Sequence, residues 1–114
     1  MILNIKATSI ELTPTLKAYA EKKFGAMTKY FKDIKEADID IGVRSHHHRK
    51  GQIYYAEVNA DVPGKLVRVV EEADDLYKAI DKTKNALKVE FEKIKGKKMN
   101  RDREGLRGQK EYRV

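Results

Sequence analysis

Apolar and polar residues alternate over the opening MILNIKAT, with Leu3, Ile5 and Ala7 set against Asn4 and Lys6, the period of a strand with one buried face. The period then lengthens. Thr13 followed by Pro14 predicts a helix start: the threonine hydroxyl can accept from a first-turn N–H, and proline has no N–H to leave unpaired. Leu16, Tyr19, Ala20, Phe24, Met27, Tyr30 and Phe31 recur at three- and four-residue steps, predicting a helix over 14–31 with one apolar sector. Gly25 lies opposite that sector and weakens the helix by roughly 1 kcal/mol relative to alanine.

Three strands are predicted next. In ADIDIGVRS, Ile39, Ile41 and Val43 face one way, and Asp38, Asp40, Gly42 and Arg44 the other. The polar SHHHRKGQ reads as a loop. In IYYAEVNADV, Tyr54, Ala56, Val58, Ala60 and Val62 form one face, and Tyr55, Glu57, Asn59 and Asp61 the other. Pro63-Gly64-Lys65 is a tight turn, with proline fixing the first central residue and glycine accepting positive φ at the second. A fourth strand over 66–72 completes a hairpin, with Val67 and Val69 inward and Arg68 and Val70 outward.

The last element is the longest. Asp74 or Asp75 caps a helix whose apolar sector is Leu76, Ile80, Thr83, Leu87, Phe91 and Ile94. Gly96 and the lysines after it loosen the helix, which is expected to end near Lys98. The remaining MNRDREGLRGQKEYRV has no period and reads as a disordered tail. The expectation is an α+β domain over residues 1–98, of order β-α-β-β-β-α, with two helices packed on one face of a four-stranded sheet, and a basic tail over 99–114.

Composition narrows the functional classes. The 114 residues contain no cysteine and are 38% charged, which removes disulfides, thiol chemistry and a membrane-spanning run; no secretion signal is visible, and a cytoplasmic protein is expected. The net charge of +7 is uneven. Residues 1–74 carry 12 basic and 11 acidic side chains, whereas residues 75–114 carry 13 and 7. Such asymmetry points to an anionic partner, although a Lys-rich solvated end would show the same balance.

Catalytic chemistry has little support. There is no nucleophile-elbow serine, no phosphate-cradling glycine loop and no His pair on one helix face, so no enzyme, cofactor or small-molecule substrate is expected. Asp38 and Asp40 share a strand face and could hold a metal between them, but alternating polar residues are also what the wet side of a strand requires. His46, His47 and His48 are adjacent, yet a tight metal site needs convergent ligands, and a solvated loop that charges near pH 6.5 is the plainer state. No metal site is expected.

The lysines carry more. Lys22 and Lys29 sit opposite the apolar sector of the first helix, while Lys23 lies near it and must snorkel. On the second helix Lys78, Lys82 and Lys93 follow one flank and Lys84, Lys88 and Lys95 the other, with Lys97, Lys98, Arg101 and Arg103 beyond. A solvated helix face is the ordinary explanation for such rows. Lysines at i, i+4 repel, however, so internal stability does not account for Lys78/Lys82 or Lys84/Lys88. Side by side on a sheet, the two helices would form one long basic groove suited to a phosphate backbone.

Three segments resemble a known family: NIKATSIELTPTLKAYAEKKFGAMTKYF, NADVPGKLVRV and DDLYKAIDKTKNAL. In the last, Asp75, Tyr77, Ala79, Ile80 and Asp81 match the Asp-Met-Tyr-x-Ala-Ile-Asp signature of the short ribosome hibernation-promoting factors, also called ribosome-associated inhibitor or factor Y proteins, with Leu76 in place of Met. The resemblance covers residues 1 to about 98. It implies a fold similar to double-stranded RNA-binding domains. It also implies binding to the small ribosomal subunit and its 16S rRNA, in the channel for messenger RNA and the A- and P-site transfer RNAs, and to the assembled 70S ribosome. Translation would be blocked and idle ribosomes stored under stress. By resemblance, Lys22, Lys29, Lys78, Lys82 and Lys93 face ribosomal RNA, together with Lys23, Lys88, Lys97 and Lys98. Tyr77 either stacks on a base or completes the core edge. A monomer without membrane contact is expected.

Long family members carry a second domain without counterpart here, so the chain fits either a short form or the N-terminal part of a long one. The His loop also has no counterpart in the family. The alternatives are a general double-stranded RNA-binding module, or a protein-interaction domain modulating transcription in which the lysines meet an acidic protein.

Overall fold

A computed structural model describes residues 1–47 and 51–107, with side chains over 1–44 and 51–96. The elements run β1 (Ile2–Thr8), α1 (Pro14–Gly25), a 3-10 turn (Ala26–Lys29), β2 (Glu36–His47), β3 (Gly51–Val62), β4 (Lys65–Ala73) and α2 (Leu76–Arg107). This is the expected β-α-β-β-β-α order. The sheet has the order β1-β2-β3-β4; β1 is parallel to β2, with Ile5 opposite Ile39, and the other two pairings are antiparallel.

The strand faces follow the alternation. Ala37, Ile39, Ile41, Ala56, Val58, Ala60, Val62, Val67 and Val69 are buried on one side of the sheet. Both helices cover that side: Leu16, Ala20 and Phe24 from α1, Met27 from the 3-10 turn, and Ala79, Ile80, Thr83, Leu87 and Phe91 from α2. Phe31 stacks on Phe91 with ring centroids 5.1 Å apart. Thr83, the buried polar side chain, shares its hydroxyl proton between the Ala56 carbonyl at 2.9 Å and the Ala79 carbonyl at 2.8 Å, joining α2 to β3.

Local chemistry sets the element ends. Thr13 Oγ1 accepts from the Leu16 N–H at 3.2 Å with Pro14 as first helical residue. Asp75, rather than Asp74, caps α2, accepting from the N–H groups of Tyr77 at 2.7 Å and Lys78 at 3.2 Å. Gly64 takes φ of +75° in the two-residue β3–β4 turn.

Several boundaries differ from the sequence reading. The first α-helix stops at Gly25 instead of Phe31; Thr28 Oγ1 donates to the Gly25 carbonyl and the chain tightens into the 3-10 turn, with Tyr30 and Phe31 held by the Met27 carbonyl. The loop expected over 45–52 is shorter, because β2 and β3 pair as far as His47 with Gly51 after a register shift between Val43 and Ser45. A long two-stranded arm continues the ladder past the point where the apolar pattern ends. His48 and the side chains of His46 and His47 lie outside the described residues. β4 gains a residue at each end. The helix expected to end near Lys98 runs to Arg107, so residues 99–107 are helical rather than tail. Arginine, glutamate, methionine and leucine there are good helix formers, and backbone propensity does not need an apolar period. The tail residues 108–114 lie outside the described residues.

Candidate nucleic-acid interface

The two helices lie side by side and run in the same direction. Tyr19 and Lys23 of α1 meet Tyr77 and Asp81 in the first turns of α2, while Tyr30, just past the 3-10 turn, meets Lys84, Lys88 and Lys95 farther along. Their outer surfaces therefore form one continuous layer. From Pro14 to Lys29 and from Leu76 to Gly96 that layer holds ten lysines (17, 22, 23, 29, 78, 82, 84, 88, 93, 95) against Glu21, Asp81, Glu90 and Glu92. At 1.5 Å per residue, the 32 residues of α2 extend about 48 Å.

The individual lysines differ in how far the fold has engaged them. Lys22 and Lys29 are exposed and make no ion pair or hydrogen bond among the described residues. Lys78 pairs with Asp74 at 3.3 Å and Lys93 with Glu90 at 3.3 Å, both at exposed sites where an ion pair contributes little. Lys82 donates to the Glu72 carbonyl at 2.7 Å, at the end of β4. Lys23 pairs with Asp81 at 3.7 Å and lies 5.4 Å from the Tyr19 ring centroid, so the fold already uses part of its charge. Lys88 sits 4.8 Å from the centroid of Tyr30. Lys97 and Lys98 continue α2, their side chains outside the described residues.

The flanks separate as the spacing predicted, but they do different things. Lys78, Lys82 and Lys93 are on the solvent side of α2, around the exposed Val89. The opposite flank turns toward α1: Lys84 lies 5.7 Å from the Tyr30 centroid and Lys95 donates to the Tyr30 carbonyl at 3.2 Å. Lys84, Lys95 and Tyr30 thus belong to the basic surface; the sequence reading placed the two lysines on this flank without choosing them as phosphate contacts, and counted Tyr30 with the apolar sector. Their common azimuth was visible in the heptad-like spacing; which flank faces the neighbouring helix was not.

The signature residues work as a clamp between helices. Tyr19 donates to Asp81 Oδ1 at 2.7 Å, Tyr77 packs edge-on against Tyr19 with centroids 4.8 Å apart, and Ile80 is fully buried. Burial, then the Asp81 hydrogen bond and charge, push the Tyr19 phenol up to about 12. Tyr77 keeps 39% of its surface exposed while making this contact.

The far side of the sheet has the opposite character. By register, Lys6, Arg44 and Arg68 are there outnumbered by Glu36, Asp38, Asp40, Glu57, Asp61 and Glu72. A concavity of about 440 Å³ on this face includes Asn4, Asp38, Asp40 and Glu57. The two aspartates considered for a metal are already engaged: Asp38 accepts from Asn4 at 2.8 Å, and Asp40 from Thr8 at 2.8 Å and Tyr55 at 2.9 Å. Tyr55 is buried although it lies on this outer face, because Arg44 covers its ring, the guanidinium carbon 4.6 Å from the centroid. Burial raises its phenol above the ordinary value.

A β-α-β-β-β-α domain with paired cationic helices defines a class, and comparison with known proteins gives it a family. The family model described as sigma 54 modulation protein / S30EA ribosomal protein matches residues 3–99, and the chain belongs to that family. Among curated relatives, the ribosome hibernation promotion factor of Bacillus subtilis is 30% identical over 104 residues, covering 91% of this chain and 53% of the relative. That of Deinococcus radiodurans is 29% identical over 106 residues, covering 91% and 54%. The chain thus spans about half the length of these relatives. The N-terminal domain of Thermus thermophilus Protein Y superposes with a TM-score of 0.69 at 30% identity, covering 82% of this chain and 99% of that domain. A ribosomal subunit interface protein from Coxiella burnetii shares the fold with a TM-score of 0.74 at 21% identity, covering 84% and 99%.

Proposed function

We propose that this chain is the RNA-binding domain of a ribosome hibernation factor, which docks its helical layer on the 16S rRNA of the small subunit and bars messenger and transfer RNA. The observation that carries the reading is the continuous lysine-rich layer on two parallel helices, in a family whose relatives are named for ribosome hibernation. Lys22, Lys29, Lys78, Lys82 and Lys93 face outward and supply phosphate contacts, with Lys23, Lys88, Lys97 and Lys98 alongside. Lysine is a compact point charge without the planar fork of arginine, so shape and charge dominate over base reading. The action is steric: binding alone excludes the competing RNAs, and no covalent step is needed. The assembled 70S ribosome is bound through the same contacts, by a monomeric domain.

A cell-free translation system tests this. Added protein is expected to inhibit synthesis, and raising messenger and transfer RNA together is expected to relieve the inhibition competitively. Inhibition indifferent to both RNAs, or no inhibition at ribosome-stoichiometric amounts, would remove occlusion as the mechanism.

A further inference from the structure

Tyr30 stands where the α1 layer ends, and three ammonium groups from α2 converge on it. Lys84 and Lys88 lie 5.7 and 4.8 Å from its ring centroid, and Lys95 donates to its carbonyl at 3.2 Å. None of the three makes an ion pair among the described residues, and Glu92, on the same flank by helical spacing, pairs with none of them. Like charges at i, i+4 repel, and the ring's quadrupole is a weak, reversible counterpart at a half-exposed site. A phosphate with a full negative charge attracts all three ammoniums more strongly than a ring face or a carbonyl dipole does. Their departure toward a phosphate would also uncover the ring.

We propose that Tyr30, Lys84, Lys88 and Lys95 form a nucleotide seat in the seam between the helices, the lysines taking one RNA phosphate and the Tyr30 ring stacking on the adjoining base. The seat deepens the ribosomal RNA reading and rests on it for its biological ligand. It gives the domain a defined anchor within a surface that otherwise senses charge alone. Stacking tolerates any base, so the seat fixes register on an unpaired nucleotide without demanding a sequence.

The test is an NMR titration of the full chain with a single-stranded hexaribonucleotide. With their Nζ atoms 5.7 and 4.8 Å from the Tyr30 centroid, the ε-methylene protons of Lys84 and Lys88 are expected to be shielded by the ring current in the free protein. Binding is expected to return them to exposed-lysine positions and to shift the Tyr30 ring signals. Tyr30→Leu is expected to weaken oligonucleotide binding about tenfold while Tyr30→Phe retains it. Lys84→Ala/Lys88→Ala, two surface changes, is expected to weaken it as well. Inorganic phosphate is expected to displace the lysines only at far higher concentration, and a free nucleoside monophosphate to bind more weakly than the hexamer; a monophosphate binding as tightly would overturn the assignment to RNA. Binding that leaves the lysine protons shielded and is unchanged by Tyr30→Leu would also overturn the seat. If ribosome co-sedimentation then persists, only the seat is lost; if the wild-type chain fails in both assays, the ribosomal reading fails too.

Discussion

Tyr19 and Gly42 show how single residues hold each layer of this domain, one between the helices and the other within the sheet. The Tyr19 phenol joins α1 to α2 through Asp81, and its proton is held up to about pH 12 against an ordinary tyrosine value of 10.0. A group bound more tightly to its proton in the folded chain contributes stability fully below the unfolded pKa and loses it as pH rises through the folded one. The stability lost between pH 10 and 12, measured by denaturant unfolding, is therefore expected to be smaller in Tyr19→Phe than in the wild type. At neutral pH the same substitution should cost about 1.5–3 kcal/mol, the range for a hydrogen bond to a charged acceptor. Gly42 is fixed by contact rather than by conformation: a Cβ there would overlap the Thr8 carbonyl of the paired strand and lie 3.1 Å from the Tyr55 ring. Gly42→Ala is expected to destabilise by about 2–3 kcal/mol, read as a lower thermal midpoint.

The elements were legible wherever an apolar period reached the core. All four strands, the Thr13 cap, a cap at Asp74 or Asp75 that the structure assigns to Asp75, and the Pro63-Gly64 turn follow from side chains that act locally. Missed were boundaries set by backbone pairing or propensity alone: the pairing of Ser45, His46 and His47 with Ile53, Gln52 and Gly51, the extension of α2 to Arg107, and the tightening of α1 after Gly25. The lysine rows were read correctly in azimuth, yet nothing local says which side of α2 the first helix occupies. That depends on β1 pairing with β2 and so placing α1 beyond β2, a long-range fact. Two outcomes test the element scale. Thr83→Val, which keeps shape but removes the hydroxyl shared with Ala56 and Ala79, should cost about 1 kcal/mol in chemical denaturation. A chain ending at Lys98 should melt within about 4 °C of the full chain, since Ile94 is the last of the described side chains packed on the core.

As a whole, the molecule is two-faced: a cationic helical layer on one side, an acid-rich open sheet on the other, stretched to 60 Å in its longest dimension. Among the described residues, no helix is long and apolar enough to cross a membrane. Engagement of about six phosphates predicts a log–log dependence of affinity on salt with slope near −4 to −5 for RNA, measurable by filter binding from 50 to 200 mM salt. A protein contact through one small patch would give a shallower slope. The most direct measurement is co-sedimentation with purified small subunits, comparing charge changes on the two faces. Lys78→Glu/Lys82→Glu/Lys93→Glu should leave the folded protein at the top of the gradient, while Glu36→Gln/Asp38→Asn/Glu57→Gln on the open sheet should still travel with the subunit. Retention of the first variant together with loss of the second would place the ribosome on the sheet side and contradict the assignment.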